Sequence, residues 1–290
     1  MQLLDGKLVS ASLLENVNEN IATYIGNNPY LRKPKMAIVL VGNNPASESY
    51  VKSKIKASDR SNIDASLIRF NDNITHEELL AEIVRLNHSD VDGFIVQLPL
   101  PQQINTEEII NTIDPLKDID GFHPQNFGKM ALGQKSMRPA TAYGILKLIQ
   151  FYNIETKGKH IVIIGRSNIV GKPTAIMLGN DFKIGRATVT TCDINTPYDL
   201  LENETKRADI VIVAVGKPAL LTGKMVKEGA IVIDVGINKL DTGKIVGDVD
   251  FETVASHCQW ITPVPGGVGP MTIAGLILNT FEAWKSKNLL

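Results

Sequence analysis

Ile161-Val162-Ile163-Ile164-Gly165-Arg166-Ser167-Asn168-Ile169-Val170-Gly171-Lys172-Pro173 reads as a buried strand, a glycine turn and the first turn of a helix. Gly165 permits a tight turn directly after the strand, and Gly171 permits close approach of the helix. Pro173 suits the first helical turn, where its absent N–H is not required. A helix N-terminus at the carboxyl edge of a parallel sheet is an anion site, through free N–H groups and the helix dipole. The spacing is not G-x-G-x-x-G, so this stretch alone is equally well an ordinary strand-to-helix turn. Val215-Gly216-Lys217-Pro218 and Asp234-Val235-Gly236-Ile237-Asn238 favour the dinucleotide reading. Each puts a glycine just past a buried strand, where ligands of open parallel sheets bind.

Around this stretch, strands are expected at 160–164, 187–191, 210–215 and 230–235, with a short one near 260–262. The earlier half shows the same alternation. Ala37–Val41 is a strand followed by a helix over 45–60, with Asn44 as a reasonable N-cap. Ser66–Phe70 is a second strand, and Thr75 with Glu78 makes a capping box for the next helix. Phe94–Leu98 is a third strand, stopped by Pro99 and Pro101. After 125 the pattern breaks into polar residues with Gly128, Gly133 and Pro139. A helix at 141–153 and a final helix at 271–286 complete the reading. The expected fold is α/β: two parallel-sheet domains, the second Rossmann-like, with the C-terminal helix returning to the first. The expected boundaries are 1–140 plus 271–290 for the first domain and 141–270 for the second.

The 290 residues carry 30 Lys+Arg against 31 Asp+Glu, a net charge of −1, which argues against a general nucleic-acid binder or a polybasic membrane-surface protein. Apolar residues make up 43% and charged residues 21%, a globular rather than a disordered composition. Cys192 and Cys258 form neither a disulfide framework nor a zinc spacing and fit a reducing compartment. The segment Met1–Lys7 has no basic region leading into an apolar one, so no signal peptide is expected. Apolar runs fall short of the roughly 18 residues a membrane helix needs. The expectation is a soluble, cytoplasmic protein without metal, nucleic-acid or membrane partners.

Tyr50 and Lys54 are four apart and share one helix face. Spacing alone favours a solvated face for them. Gln97 is an amide late in an apolar strand, at the carboxyl edge where sites form, and an unpaired buried amide costs a few kcal/mol, so it needs a partner. Asp118 and Asp120 follow in Lys117-Asp118-Ile119-Asp120-Gly121; a turn-forming role suits Asp118 better than it suits both. Thr262-Pro263-Val264-Pro265-Gly266-Gly267-Val268-Gly269-Pro270-Met271-Thr272 is a rigid glycine-rich connection that can grip a flat heterocycle or merely turn a corner.

Together these motifs resemble one family. Gly42-x-x-Pro45-Ala46-Ser47-x-x-Tyr50-Val51-x-x-Lys54, Val96-Gln97-Leu98-Pro99-Leu100-Pro101 and Lys117-Asp118-x-Asp120-Gly121 are similar to the bifunctional methylenetetrahydrofolate dehydrogenase/methenyltetrahydrofolate cyclohydrolases. So are Gly165-Arg166-Ser167-x-Ile169-Val170-Gly171-x-Pro173 and Pro265-Gly266-Gly267-Val268-Gly269-Pro270-Met271-Thr272, and the order covers essentially the whole chain. The resemblance implies oxidation of 5,10-methylenetetrahydrofolate to 5,10-methenyltetrahydrofolate with a nicotinamide cofactor, then hydrolysis to 10-formyltetrahydrofolate. These steps belong to one-carbon metabolism and feed purine biosynthesis. It implies Lys54 as the catalytic residue with Gln97 hydrogen-bonded to it, Asp120 on the pterin and Tyr50 stacked on the folate. Val96, Leu98, Pro265, Gly266, Gly267, Val268 and Gly269 would also bind the folate. Gly165, Arg166, Ser167, Asp193, Ile194, Gly216 and Ile237 would bind the cofactor. It further implies a folate cleft between the domains and a homodimer.

Three departures stand out. Pro139-Ala140-Thr141-Ala142 replaces the common Pro-Cys-Thr-Pro, so a thiol role there is untenable. The stretch 180–186 is longer than usual and is expected to be a surface loop. Cys192-Asp193-Ile194-Asn195 replaces Cys-His-Ser and a basic residue. NADP is the expected cofactor, with Arg166 as its phosphate partner, but Asp193 predicts that NAD is accepted better than in relatives with the basic residue. Two alternatives are a dehydrogenase without cyclohydrolase activity and a non-catalytic folate- or nucleotide-binding regulator. The first is opposed by the presence of Lys54, the second by Lys54, Gln97 and Asp120 together.

Overall fold

A computed structural model describes residues 1–180 and 184–289; part of the stretch 180–186 therefore lies outside the described residues. In chain order the elements begin with β1 (Gln2–Leu3), α1 (Gly6–Asn27), β2 (Lys35–Val41), α2 (Pro45–Arg60), β3 (Asp64–Phe70), α3 (His76–Asn87) and β4 (Gly93–Val96). Next come α4 (Thr106–Thr112), α5 (Pro124–Ala131), α6 (Ala140–Phe151), β5 (His160–Ile164), α7 (Gly171–Gly179), β6 (Thr188–Cys192) and α8 (Tyr198–Arg207). The chain closes with β7 (Ile210–Val213), β8 (Ala230–Asp234), β9 (Asn238–Lys239), β10 (Ile245–Val246), α9 (Phe251–Ala255), β11 (Cys258–Ile261) and α10 (Val268–Asn288). They form two compact units. One holds Ala11–Lys129, Lys135–Ala140 and Ile273–Leu290; the other holds Met1–Ser10, Met130–Gln134 and Thr141–Thr272.

In the unit built around β2, three parallel strands run in the order β3-β2-β4. Successive side chains of β2 point to opposite faces, and both faces are covered. Ile38 and Leu40 pack with Leu14, Val17 and Ile21 of α1, Val51 of α2 and Ile277 of α10. Ala37, Val39 and Val41 pack with Leu79, Ile83 and Leu86 of α3. The C-terminal helix is built into this core. Fully buried Trp284 donates its indole N–H to Arg32 O at 3.0 Å. Buried Asn279 donates to Ile119 O at 2.8 Å and to Arg138 O at 2.7 Å.

The other unit carries a six-stranded, wholly parallel sheet in the order β1-β11-β8-β7-β5-β6. Its strands β5 and β7 are continuous apolar runs, as burial on both faces demands. After β5 the chain winds to β6 on one side, then crosses to β7 on the other. The switch point therefore lies beyond the carboxyl ends of β5 and β7.

Several boundaries differ from the sequence reading. Strand β4 ends at Val96, so Gln97 lies just past it, although its N–H still donates to Val39 O at 2.8 Å. Pro99, without an N–H, cannot carry the ladder further. The first part of the polar stretch after 125 belongs to the helix α5, whose Asn126 and Met130, four apart, are both buried; the break around Gly133 and Pro139 is irregular as expected. Helix α1 was not anticipated, although Val9, Leu14, Val17 and Ile21 turn inward at helical spacing. Thr75 and Glu78 form the complete capping box, and the Asn44 side chain accepts from Ala46 N and Ser47 N.

Candidate active site

Helix α2 starts cleanly because Asn44 caps it and Pro45 occupies its first position. One turn on, its faces separate: Lys52 and Lys56 are exposed, whereas Lys54 is buried and only 6% exposed. Spacing alone favoured a solvated face for Lys54; the turn of the helix puts it inward instead. Its Nζ donates to Gln97 Oε1 at 3.0 Å. The other end of that amide donates to Leu98 O at 2.7 Å, which fixes the oxygen toward the lysine. Gln97 thereby has the partner its burial requires. Tyr50 is half-buried on the same face, and burial pushes its phenol up.

Asp118 and Asp120 have separate jobs. Asp118 is buried and accepts from the N–H groups of Gly121 (3.0 Å), Phe122 (3.2 Å) and His123 (2.8 Å) and from Asn126 Nδ2 (3.0 Å). It is the clamp of the loop. Asp120 lines a small pocket together with Val96, Leu98, Ile113 and Phe122. Its backbone is held from two sides: Ala140 N donates to Asp120 O, and Asn279 holds the neighbouring Ile119 O. Burial pushes the Asp120 carboxyl up, and the Lys54 charge pulls it partly back. Burial pushes the Lys54 ammonium down, and Asp120 partly restores it. An amine easier to deprotonate and an acid easier to protonate thus sit within electrostatic reach.

In the unit with the six-stranded sheet, Gly165 has φ of +118°, and a Cβ there would lie 2.2 Å from Ala214 O. A Cβ on Gly171 would lie 1.9 Å from Gly165 O. Both positions need glycine for the helix to approach the strand ends. Ser167 Oγ accepts from Val170 N at 3.1 Å, shaping the turn into α7. Arg166 pairs with Asp193 Oδ2 at 3.0 Å. Ile194 is 97% exposed beside it, while Gly216 and half-exposed Ile237 follow β7 and β8. This cradle fits a dinucleotide: a tight glycine turn, a nine-residue helix with its N-terminus at the strand ends, and a basic side chain at the turn.

The loop 265–269 lies in this same unit. Gly266 O accepts from Lys7 N at 3.1 Å, and a Cβ on Gly6 would lie 1.8 Å from Gly267 O. Val268 opens α10 and is buried. Ala140 stands at the start of α6. The sequence reading missed the link between buried Asp234, which closes the apolar strand β8, and buried Asp248, whose only signal is an acid beside Gly247.

Residues 4–120 match the family model of the tetrahydrofolate dehydrogenase/cyclohydrolase catalytic domain, and residues 139–288 match the model of its NAD(P)-binding domain. The bifunctional protein FolD 1 of Geobacter metallireducens is 60% identical over 287 residues, 99% of this chain and 98% of that protein. The crystal structure of the bifunctional FolD of Campylobacter jejuni superposes with a TM-score of 0.94 at 49% identity, covering 99% of both chains. The Trypanosoma brucei enzyme, solved with NADP cofactor and inhibitor, gives a TM-score of 0.91 at 33% identity over 97% of this chain and 96% of that one. The chain belongs to the tetrahydrofolate dehydrogenase/cyclohydrolase family.

Proposed function

We propose that this chain oxidises 5,10-methylenetetrahydrofolate to 5,10-methenyltetrahydrofolate with NADP and hydrolyses that product to 10-formyltetrahydrofolate. Both family domains support the reading, and the partly buried Lys54–Gln97 hydrogen bond, with Asp120 in electrostatic reach of Lys54, carries it. When bound, the nicotinamide supplies the hydride acceptor. Gly165, Arg166 and Ser167 would hold its phosphates, with Gly216 and Ile237 further along the strand ends.

Opening the methenyl ring requires proton transfers at an attacking water and at a departing nitrogen. Lys54, with its ammonium pushed down by burial, serves those transfers at Nζ. Gln97 keeps that nitrogen in place. Asp120 accepts from the pterin N–H groups, Tyr50 offers its ring to the folate, and Val96 and Leu98 supply the pocket wall. A homodimer in the reducing cytoplasm suits the family resemblance and the two buried, unpaired cysteines.

The test is the absorbance of methenyltetrahydrofolate. It should rise when methylenetetrahydrofolate meets enzyme and NADP, and added methenyltetrahydrofolate should decay faster than in buffer without any cofactor. A preparation that produces neither change refutes the proposal.

A further inference from the structure

Two buried acids tie together the loops that leave β7 and β8. Asp234, the last residue of β8, accepts from Gly236 N (3.0 Å) and Asp248 N (2.9 Å) through Oδ1 and from Val249 N (3.0 Å) through Oδ2. Asp248 in turn accepts from Val215 N (2.7 Å) and Gly216 N (3.0 Å) through Oδ2 and from Asn238 Nδ2 (2.8 Å) through Oδ1. Their exposures are 4% and 0%, so bulk water satisfies none of these groups. Among the described residues neither carboxylate has an ion-pair partner. Six donors on the two strand-end loops and on 248–249 are therefore organised by four oxygens. The packing leaves no slack. A Cβ on Gly236 would lie 2.3 Å from Asp248 Cγ, and one on Gly247 would lie 1.8 Å from Asp234 Oδ2.

We propose that Asp248, backed by Asp234, is a positioning residue for the dinucleotide: it sets the Val215–Gly216 and Gly236–Asn238 loops at the carboxyl ends of β7 and β8. The inference rests on the reading that this strand-end crevice holds NADP. Asp248 does not touch the cofactor. It acts by fixing two backbone segments, one with Gly216 at φ of +69° and both bearing half-exposed apolar side chains, Val215 and Ile237. A carboxylate serves all three donors at once. An amide at the same place keeps one good acceptor and turns an N–H toward the remaining donors.

The two activities separate this role from a merely structural one, because hydrolysis of methenyltetrahydrofolate needs no dinucleotide. Full-length Asp248→Asn is compared with wild type by calorimetric titration of NADP and by cyclohydrolase rate. The expected result is an NADP Kd weakened about tenfold. The cyclohydrolase rate should stay within about twofold. An unchanged NADP Kd overturns the inference. So does a parallel fall of both readouts, or a variant that fails to fold, since either makes the pair a general support of the unit. A wild type that hydrolyses methenyltetrahydrofolate but binds no NADP refutes the cofactor reading instead.

Discussion

Arg166 Nη2 lies 3.0 Å from Asp193 Oδ2, so the basic residue of the glycine turn already faces a carboxylate at the end of β6. The side chains are 49% and 24% exposed, and a pair so open to water contributes about 0.2–1 kcal/mol at most. Its expected weight, if the adenosine ribose binds here, is in selectivity rather than stability. A 2′-phosphate approaching Arg166 has to displace or share that guanidinium and meets a like charge on Asp193. Ribose hydroxyls find an acceptor there.

Asp193→Ser removes the like charge and releases Arg166. The ratio of kcat/KM for NADP over NAD should rise about tenfold, equivalent to 1.4 kcal/mol. The direct check is the Kd of each cofactor by calorimetry in wild type and variant. A ratio that does not move puts Asp193 away from the adenosine ribose.

Lys54→Met keeps the length of the side chain and removes its charge and donors. Cyclohydrolase activity should drop to the buffer rate while folate still binds. Stability should change little, because losing a buried charge offsets leaving Gln97 Oε1 without its donor, each worth on the order of 1–3 kcal/mol. A melting curve and a folate titration on the same preparation establish that the loss is chemical.

Much of this architecture could be read in the sequence because strands buried on both faces are written as unbroken apolar runs. Strands β2, β5 and β7 are of that kind. Helix α1 is not, since Asn, Ser and Glu crowd its solvent side and dilute the period. The inward turn of Lys54 could not be read from helical spacing and was implied only by the family resemblance. Its neighbours Lys52 and Lys56 are solvated, and its partner Gln97 lies 43 residues on, brought near by the pairing of β4 with β2. The Asp234–Asp248 link is of the same type: an acid at the end of β8 and one in a later loop, whose relation exists only after the sheet has formed.

Asp234 should leave a mark on the pH dependence of stability. Burial, helped by the Asp248 charge, raises its carboxyl from 3.8 to about 6, against the pull of three backbone N–H groups. The folded state thus binds a proton that the unfolded state releases between those values, so stability falls as pH rises through that window. The upper bound is about 3 kcal/mol at 1.36 kcal/mol per unit. Asp234→Asn does not titrate, so its Tm relative to wild type should improve from pH 5 to pH 7.5. A difference that stays constant across this range shows that the three N–H groups keep Asp234 ionised throughout.

Asp118 and Asp120, two residues apart in one loop, should respond to alanine in opposite ways. Asp118→Ala strands the N–H groups of Phe122 and His123, while Gly121 N keeps the backbone Asp118 O and the Asn126 amide keeps Pro115 O. Buried donors without partners cost roughly 1–3 kcal/mol each before the loop relaxes, so this variant should melt several degrees lower. Asp120→Ala removes a carboxylate that burial already disfavours, and its backbone bond from Ala140 is untouched. Its Tm should hold or rise. Folate affinity should fall roughly ten- to hundredfold, the worth of a charged hydrogen bond at about 1.5–3 kcal/mol, while the NADP Kd stays put. Thermal melts and separate folate and NADP titrations on both variants distinguish the two roles. A folate Kd unchanged in Asp120→Ala removes that residue from the pterin site.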